Sequence, residues 1–423
     1  MLISKQAKMA VFPPQASLVG KIRLPGSKSI TNRALLVASL ANGHSILSGA
    51  LKSDDTIVMR NALCLLGVKI SDLSDENVHI HARAELSPAN QPLLLGNAGT
   101  ATRFLTAACA LVSGKTIIDG DEDMRKRPIK PLVDALNSIG INCTATNDCP
   151  PVTIISTGEI KGEHVEIDAS LSSQYVSALL MLAPLIKHSF TISFASDEQI
   201  GARGYIDLTL DIMRDFGALV NEIKPNVWQV QPTGYKAINY TIAPDFSSIT
   251  YLWAIEKLVK ADLELYPLDN IDNQPDAKAY EFISQFPNMP SEIDGSQMQD
   301  AIPTLAVLAA FNNSPVKFTG IANLRVKECD RIAALSKGLN AISLGLAKEV
   351  GDDLIINGRP DLKSPNAPVL IDTYNDHRIA MCFALAGLKL NNILIDNPAC
   401  VSKTFASFWD ILAEIGVKLE ISE

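Results

Sequence analysis

Apolar residues fall along this chain in blocks, each opened by a small polar or acidic residue and followed by a short strand-like stretch. Helix starts recur at Ser29, Thr100, Ser173, Ser248, Asp300 and Asp376. In the first block, Ile30 to Ala41, residues Ala34, Leu35, Ala38 and Leu40 share or adjoin one helix face. Strand entry comes at equal distance from the first three starts, at Gly43, Gly114 and Lys187. A loop and a second, amphipathic helix follow. Those second helices stop at Gly67, Gly140, Gly217 and Gly416. A unit that recurs in this way predicts a repeat architecture.

Ser53-Asp54-Asp55 caps a helix running to Leu66, and Pro128 fits the first turn of the second helix in the next unit, where a missing N–H costs nothing. The fourth unit, from Ser248, is the least regular, and its stretch from Asn273 to Pro290 has no clear pattern. Three units precede Pro244 and three follow it, so two similar α/β domains are expected: 26–243, and 1–25 joined to 244–423. The leading segment carries a strand-like VGKIRL that is free to pair with the second half. A chain of 423 residues exceeds what one core supports, and the ligand site is expected in the cleft between the halves.

Composition narrows the class. Apolar residues make up 47% and charged residues 20%, with a net charge of −9, which opposes a general nucleic-acid binder. The seven cysteines form no CxxC pair and share no ligand spacing with the six histidines, so no metal is expected. No apolar run approaches a membrane span. A soluble cytoplasmic protein is the expectation.

Four stretches are more polar than their surroundings require. In Pro25 to Arg33, Lys28 stands at a helix N-terminus, where a cation opposes the helix dipole. An anion bound there would unite Lys28, Ser29, Arg33 and the backbone N–H groups. Gly96-Asn97-Ala98-Gly99-Thr100 allows close backbone approach, with Arg103, Arg125 and Arg127 in the same unit, but lacks the Lys-Ser/Thr ending of a P-loop. Ser172-Ser173-Gln174 opens the third unit; alone, it reads as an ordinary serine cap. The last is divided between Asp300, the run Asn323 to Arg331, Asn375-Asp376-His377-Arg378 and Lys403. Cations at matching places in successive units are more than a solvated face requires. They suffice for two phosphorylated or carboxylated ligands, with Asp300 and Glu328 as candidate proton-transfer groups.

Taken together, LPGSKSITNRAL, GNAGTATRFL, KRPIKPLVDAL, SSQYVSALLMLAPL, NLRVKECDRI, TYNDHRIAMCFAL and the Lys403-Thr404-Phe405 turn resemble the 5-enolpyruvylshikimate-3-phosphate synthase family over essentially the whole length. The resemblance implies two inside-out α/β domains, each of three βαβαββ units, that close on their ligands. It implies transfer of the enolpyruvyl group of phosphoenolpyruvate to the 5-hydroxyl of shikimate 3-phosphate, through a tetrahedral ketal, in aromatic amino acid biosynthesis. Shikimate 3-phosphate would contact Ser29, Arg33, Ser172, Ser173, Asn323 and Lys327. Phosphoenolpyruvate would be held by Lys28, Asn97, Gly99, Arg127, Gln174, Arg331, Arg378 and Lys403. Asp300, Glu328 and Lys28 would divide the proton transfers among them. The family needs no cofactor or metal, and a monomer is expected, without nucleic-acid or membrane partners.

This chain departs from the family pattern at Phe104 and Gln299, where proline is usual, at Asp123, and at Gly201-Ala202-Arg203-Gly204, which lacks a serine expected to reach the shikimate phosphate. Arg203 is expected to take over part of that contact. Two other readings are a transferase with a changed acceptor, such as a UDP-sugar, and a non-catalytic paralogue that binds phosphorylated ligands. The loop from Asp121 to Arg127 lacks the cysteine of the UDP-sugar enzymes. Pure binding would not need two carboxylates in an anion pocket.

Overall fold

The structure is a computed structural model, and it describes residues 3–72, 77–83, 85–195, 200–268 and 274–422. Two compact units divide the chain, Gly26–Ala243 on the one hand and Met1–Pro25 with Pro244–Glu423 on the other.

The expected helix starts correspond to helices Lys28–Leu40, Gly99–Ala108, Gln174–Leu182, Phe246–Leu258, Ile302–Ala309 and His377–Gly387. Three lie in each unit and are almost wholly buried. A helix apolar on every side belongs inside a core, and these helices form it: in the second unit all three pack on one another. Small sheets surround them, three to a unit among the described residues. In the sheet of Leu93–Leu94, Gly114–Asp119, Cys149–Ser156 and Asn142–Thr146, the first pairing is parallel and the other two antiparallel. The sheets around Phe190–Phe194 and Val316–Thr319 repeat that scheme. In chain order this is a βαβαββ unit: the parallel step carries a helical crossover, a second helix precedes the third strand, and the last two strands join by a turn.

The second helices end at Leu65, Ser138, Asp215 and Glu414, two residues before the expected glycines. Each glycine has positive φ, between 87° and 104°. The residue after each one donates its N–H back to the chain, as Val68 does to the Leu63 carbonyl and Val417 to that of Leu412. That is the Schellman stop, which favours glycine because a Cβ is strained in the left-handed region.

Several boundaries differ from the expectation. The fourth helix begins at Phe246 because Asp245, not Ser248, caps it, accepting from the Ser248 N–H at 3.0 Å. Asp300 precedes its helix, and the proline in the first turn of Lys130–Ser138 is Pro131, not Pro128. The strand expected from Lys187 starts at Phe190. The irregular stretch of the fourth unit holds a 3-10 turn, Pro275–Lys278, and the short helix Ala279–Ser284; Asn273 lies outside the described residues. The strand-like leading segment is the strand Leu18–Arg23, which pairs in parallel with Ala261–Tyr266.

Candidate active site

Because the buried helices have apolar bodies, their polar residues gather at the N-terminal ends, where unpaired N–H groups and the helix dipole favour negative charge. In the unit that holds residues 244–422, that end carries an interlaced set of charges. Arg331 is 1% exposed. Its Nε donates to Asp376 Oδ2 at 2.7 Å, Nη1 to Asp300 Oδ1 at 3.0 Å, and Nη2 to Glu328 Oε2 at 2.7 Å. Arg378 Nη2 reaches Asp300 Oδ2 at 2.8 Å, Lys403 Nζ lies 3.3 Å from Glu328 Oε1, and Lys327 Nζ lies 4.0 Å from Asp300. Asp300 and Glu328 are thus each gripped from both oxygens. Burial alone would lower the pKa of Arg331; the charges of Asp376, Glu328 and Asp300 outweigh it and raise it. Asp376 also caps its own helix by accepting the Arg378 N–H at 2.9 Å.

Beneath this set lies Asp276, 1% exposed and bonded by the Ser247 hydroxyl. Burial first, and then the charge of Asp300, push its carboxyl up to about 6. Asn323, expected at the shikimate phosphate, donates its amide to Gln299 Oε1.

The unit Gly26–Ala243 treats its cations differently. Arg33 is also 1% exposed, yet its guanidinium meets neutral acceptors: Thr209 Oγ1 at 2.6 Å, the Ser29 and Tyr205 carbonyls at 3.0 and 3.1 Å, and Ser177 Oγ at 3.4 Å. Among the described residues no carboxylate pairs with it, and burial draws its pKa down to about 10. Arg103 Nη1 donates to Gln174 Oε1 at 2.7 Å, and Gln174 Nε2 donates to Thr100 Oγ1 at 3.2 Å. Arg127 Nη1 donates to the Asn97 carbonyl and side-chain oxygens at 3.2 and 3.0 Å. Lys28 lies 3.4 Å from Asp55, a largely buried carboxylate that answers the cation at the helix start. Ser172 Oγ accepts the Gln174 N–H at 3.3 Å, and Ser173 sits at the N-cap. Gly99 lies against the arginines: a Cβ there would stand 2.8 Å from Arg127 Cζ and 3.0 Å from Arg103 Nη1.

The expected site residues therefore form two groups. Lys28, Ser29, Arg33, Asn97, Gly99, Arg127, Ser172, Ser173 and Gln174 lie in one unit, and Asp300, Asn323, Lys327, Glu328, Arg331, Arg378 and Lys403 in the other. One expectation needs correcting. Arg203 does not present its fork for a phosphate: it pairs with Asp207 at 3.0 Å and Glu222 at 2.7 Å, bonds Asn226, and lies over the Trp228 ring. The left-handed turn at Ala202 (φ 55°) leads instead to the Tyr205 carbonyl that Arg33 uses. Phe104, another departure, lies with its ring centroid 5.1 Å from the Arg33 guanidinium, a cation–π contact. Asp55 and Asp276 are not marked by the sequence pattern, and that Gln299, a departure from the family pattern, partners Asn323 is not legible there either. Asp55 looked like one more acid in a helix first turn, and Asp276 sits in the stretch without a pattern. Among the described residues no cluster of three or more His, Cys, Asp or Glu could hold a metal ion, and no helix is long and apolar enough to cross a membrane.

The fold is one already known among enolpyruvyl transferases. It resembles EPSP synthase from Acinetobacter baumannii with a TM-score of 0.79 at 23% identity, covering 99% of this chain and 100% of that one. It resembles the enolpyruvyl transferase NikO from Streptomyces tendae with a TM-score of 0.77 at 16% identity, covering 99% of each. Those identities speak for the fold alone. Residues 13–412 match the family model of EPSP synthase (3-phosphoshikimate 1-carboxyvinyltransferase). Relatives named 3-phosphoshikimate 1-carboxyvinyltransferase from Rhizobium leguminosarum bv. trifolii and Pseudomonas savastanoi pv. phaseolicola are 55% identical over 415 residues, covering 98% of this chain and 99% of theirs. This chain belongs to the EPSP synthase family.

Proposed function

We propose that the chain is an enzyme that transfers the enolpyruvyl group of phosphoenolpyruvate to the 5-hydroxyl of shikimate 3-phosphate and releases phosphate, a step of aromatic amino acid biosynthesis. The observation that carries the reading is the double grip on Asp300 and Glu328, each held at both oxygens by cations of its own unit. Carboxylates fixed in this way are oriented for proton transfer, and they belong to a chain whose 55%-identical relatives carry that activity as their name.

In the proposed reaction Asp300 takes the proton of the 5-hydroxyl as its oxygen attacks C2 of phosphoenolpyruvate. Glu328 or Lys28 gives a proton to the methylene carbon C3, which completes a tetrahedral ketal. Loss of a proton from C3 then re-forms the double bond as the C2–O bond to phosphate breaks. Ser29, Arg33, Ser172, Ser173, Asn323 and Lys327 would contact shikimate 3-phosphate. Arg33, buried with only neutral partners, suits an anion best. Lys28, Asn97, Gly99, Arg127, Gln174, Arg331, Arg378 and Lys403 would hold phosphoenolpyruvate. An anion arriving at Arg331 competes with Asp300 and Glu328 for one guanidinium, which links binding to release of a proton-transfer group. Arginine forks suit carboxylate and phosphate geometry.

The reading takes the chain as a cytoplasmic monomer without metal or organic cofactor; its seven unpaired cysteines fit a reducing compartment. Phosphate release from phosphoenolpyruvate plus shikimate 3-phosphate, with the product mass measured, tests it. A product heavier by the enolpyruvyl group is expected. Folded protein that releases no phosphate would overturn the reading.

A further inference from the structure

We propose that Asn397 and Asn375 form a positioning pair that sets Lys403 and the Asp376–Arg378 helix start in register. The inference rests on the reading of Arg378 and Lys403 as phosphoenolpyruvate residues. The Asn397 Nδ2 donates to Asn375 Oδ1 at 2.7 Å, across 22 residues of chain. Both residues are left-handed, with φ of 40° and 56°, and Tyr374 before Asn375 is left-handed too, at 52°. Three such residues without glycine cost strain that surrounding contacts must hold.

Each asparagine leads into a functional segment. Asn397 follows the strand Ile393–Asp396 and caps the 3-10 turn Pro398–Lys403, whose last residue delivers its ammonium to Glu328. Asn375 directly precedes Asp376, which holds Arg331 and starts the helix bearing Arg378. The 3-10 turn is also anchored at its first residue, where Trp409 Nε1 donates to the Pro398 carbonyl at 2.8 Å. The bridge is a side-chain bond from that turn to the neighbouring loop.

Backbone conformation alone does not account for Asn397. It is 7% exposed, and its own Oδ1 is buried without a hydrogen-bond partner. Glycine would adopt the same φ without burying that orphan oxygen. What the amide adds is the bond to Asn375. The two segments that carry cations toward the carboxylates therefore move as one piece, and their spacing does not depend on either strained turn by itself.

Glycine variants separate the bridge from the backbone, since glycine tolerates both turns. In N397G and N375G, kcat/KM for phosphoenolpyruvate should fall about tenfold, equivalent to about 1.4 kcal/mol, while KM for shikimate 3-phosphate stays within about twofold. The double variant should be no worse than either single one, because one bond is lost once. N375D keeps both the acceptor and the left-handed tolerance and should stay within about threefold of wild type. Hydrogen exchange at the Thr404 and Phe405 amides, both bonded to the Val401 carbonyl, should quicken in both glycine variants. Wild-type kinetics in N397G, or losses that multiply in the double variant, would overturn the pair. A wild-type chain without turnover would sink the functional reading instead, and unchanged exchange would still overturn the bridge.

Discussion

Arg33 and Arg331 are equally buried, each 1% exposed, and each starts or follows the head of a buried helix. Arg331 is enclosed by Asp300, Glu328 and Asp376, and its pKa is raised. Arg33 is enclosed by hydroxyls, carbonyls and an aromatic face, and its pKa is lowered. A buried charge is tolerable when opposite charge or hydrogen bonds answer it. The first arginine is answered inside its own unit and orients the groups proposed to move protons. The second is answered only by neutral acceptors, which is why an anion is proposed to complete it. The same residue type at the same burial is thus held in two opposite electrostatic settings, set by what surrounds it.

The sharpest way to test the carboxylate side is to neutralise Asp300. Asp300→Asn should lower kcat about 10³-fold in a steady-state assay; a loss under tenfold would remove Asp300 from the proton transfers. The contrast between the arginines is tested on stability. Arg331→Met strips three carboxylates of a shared cation and should cost about 3–5 kcal/mol in urea denaturation. Arg33→Met removes a charge without a carboxylate partner and should cost under about 1 kcal/mol, while raising KM for shikimate 3-phosphate about tenfold. Equal destabilisation by both substitutions would break the comparison.

Asp276 sharpens the same point through pH. Its folded carboxyl keeps its proton up to about 6, whereas an unfolded aspartate ionises near 3.9. Between these values the folded chain binds the proton that the unfolded chain has lost, so this group makes stability fall as pH rises from about 4 to about 6. Asp276→Asn should remove that slope and be more stable than wild type by about 2–3 kcal/mol at pH 7, with the advantage vanishing near pH 4. Parallel denaturation curves at every pH would count against a protonated Asp276. The smallest effect is expected at Gly99. A methyl there crowds Arg127 and Arg103, so Gly99→Ala should raise KM for phosphoenolpyruvate about fivefold and leave that for shikimate 3-phosphate unchanged. Equal change in both constants would detach Gly99 from the phosphoenolpyruvate side.

Much of this is present in the chain itself. The repeat, the six buried helices and the glycines that stop the second helices are local features, read from neighbours three or four residues apart and from the positive φ that glycine accepts. The concentration of Lys28, Asp300, Asp376 and Arg378 at helix heads follows from the same pattern, because an apolar helix has nowhere else to keep a charge. Tertiary structure decided who answers whom. Arg33 meets Thr209 across 176 residues and Arg331 meets Asp376 across 45, and nothing local distinguishes the neutral shell of one from the carboxylates of the other. Arg203 shows the same limit: its place in the chain suggests a ligand, and the folded sheet supplies Glu222. Asp276 and the Asn375–Asn397 bridge have no periodic signature at all. Helix and turn formation depend on bonds within a few residues, whereas ion pairing and burial depend on which surfaces the packed helices bring together.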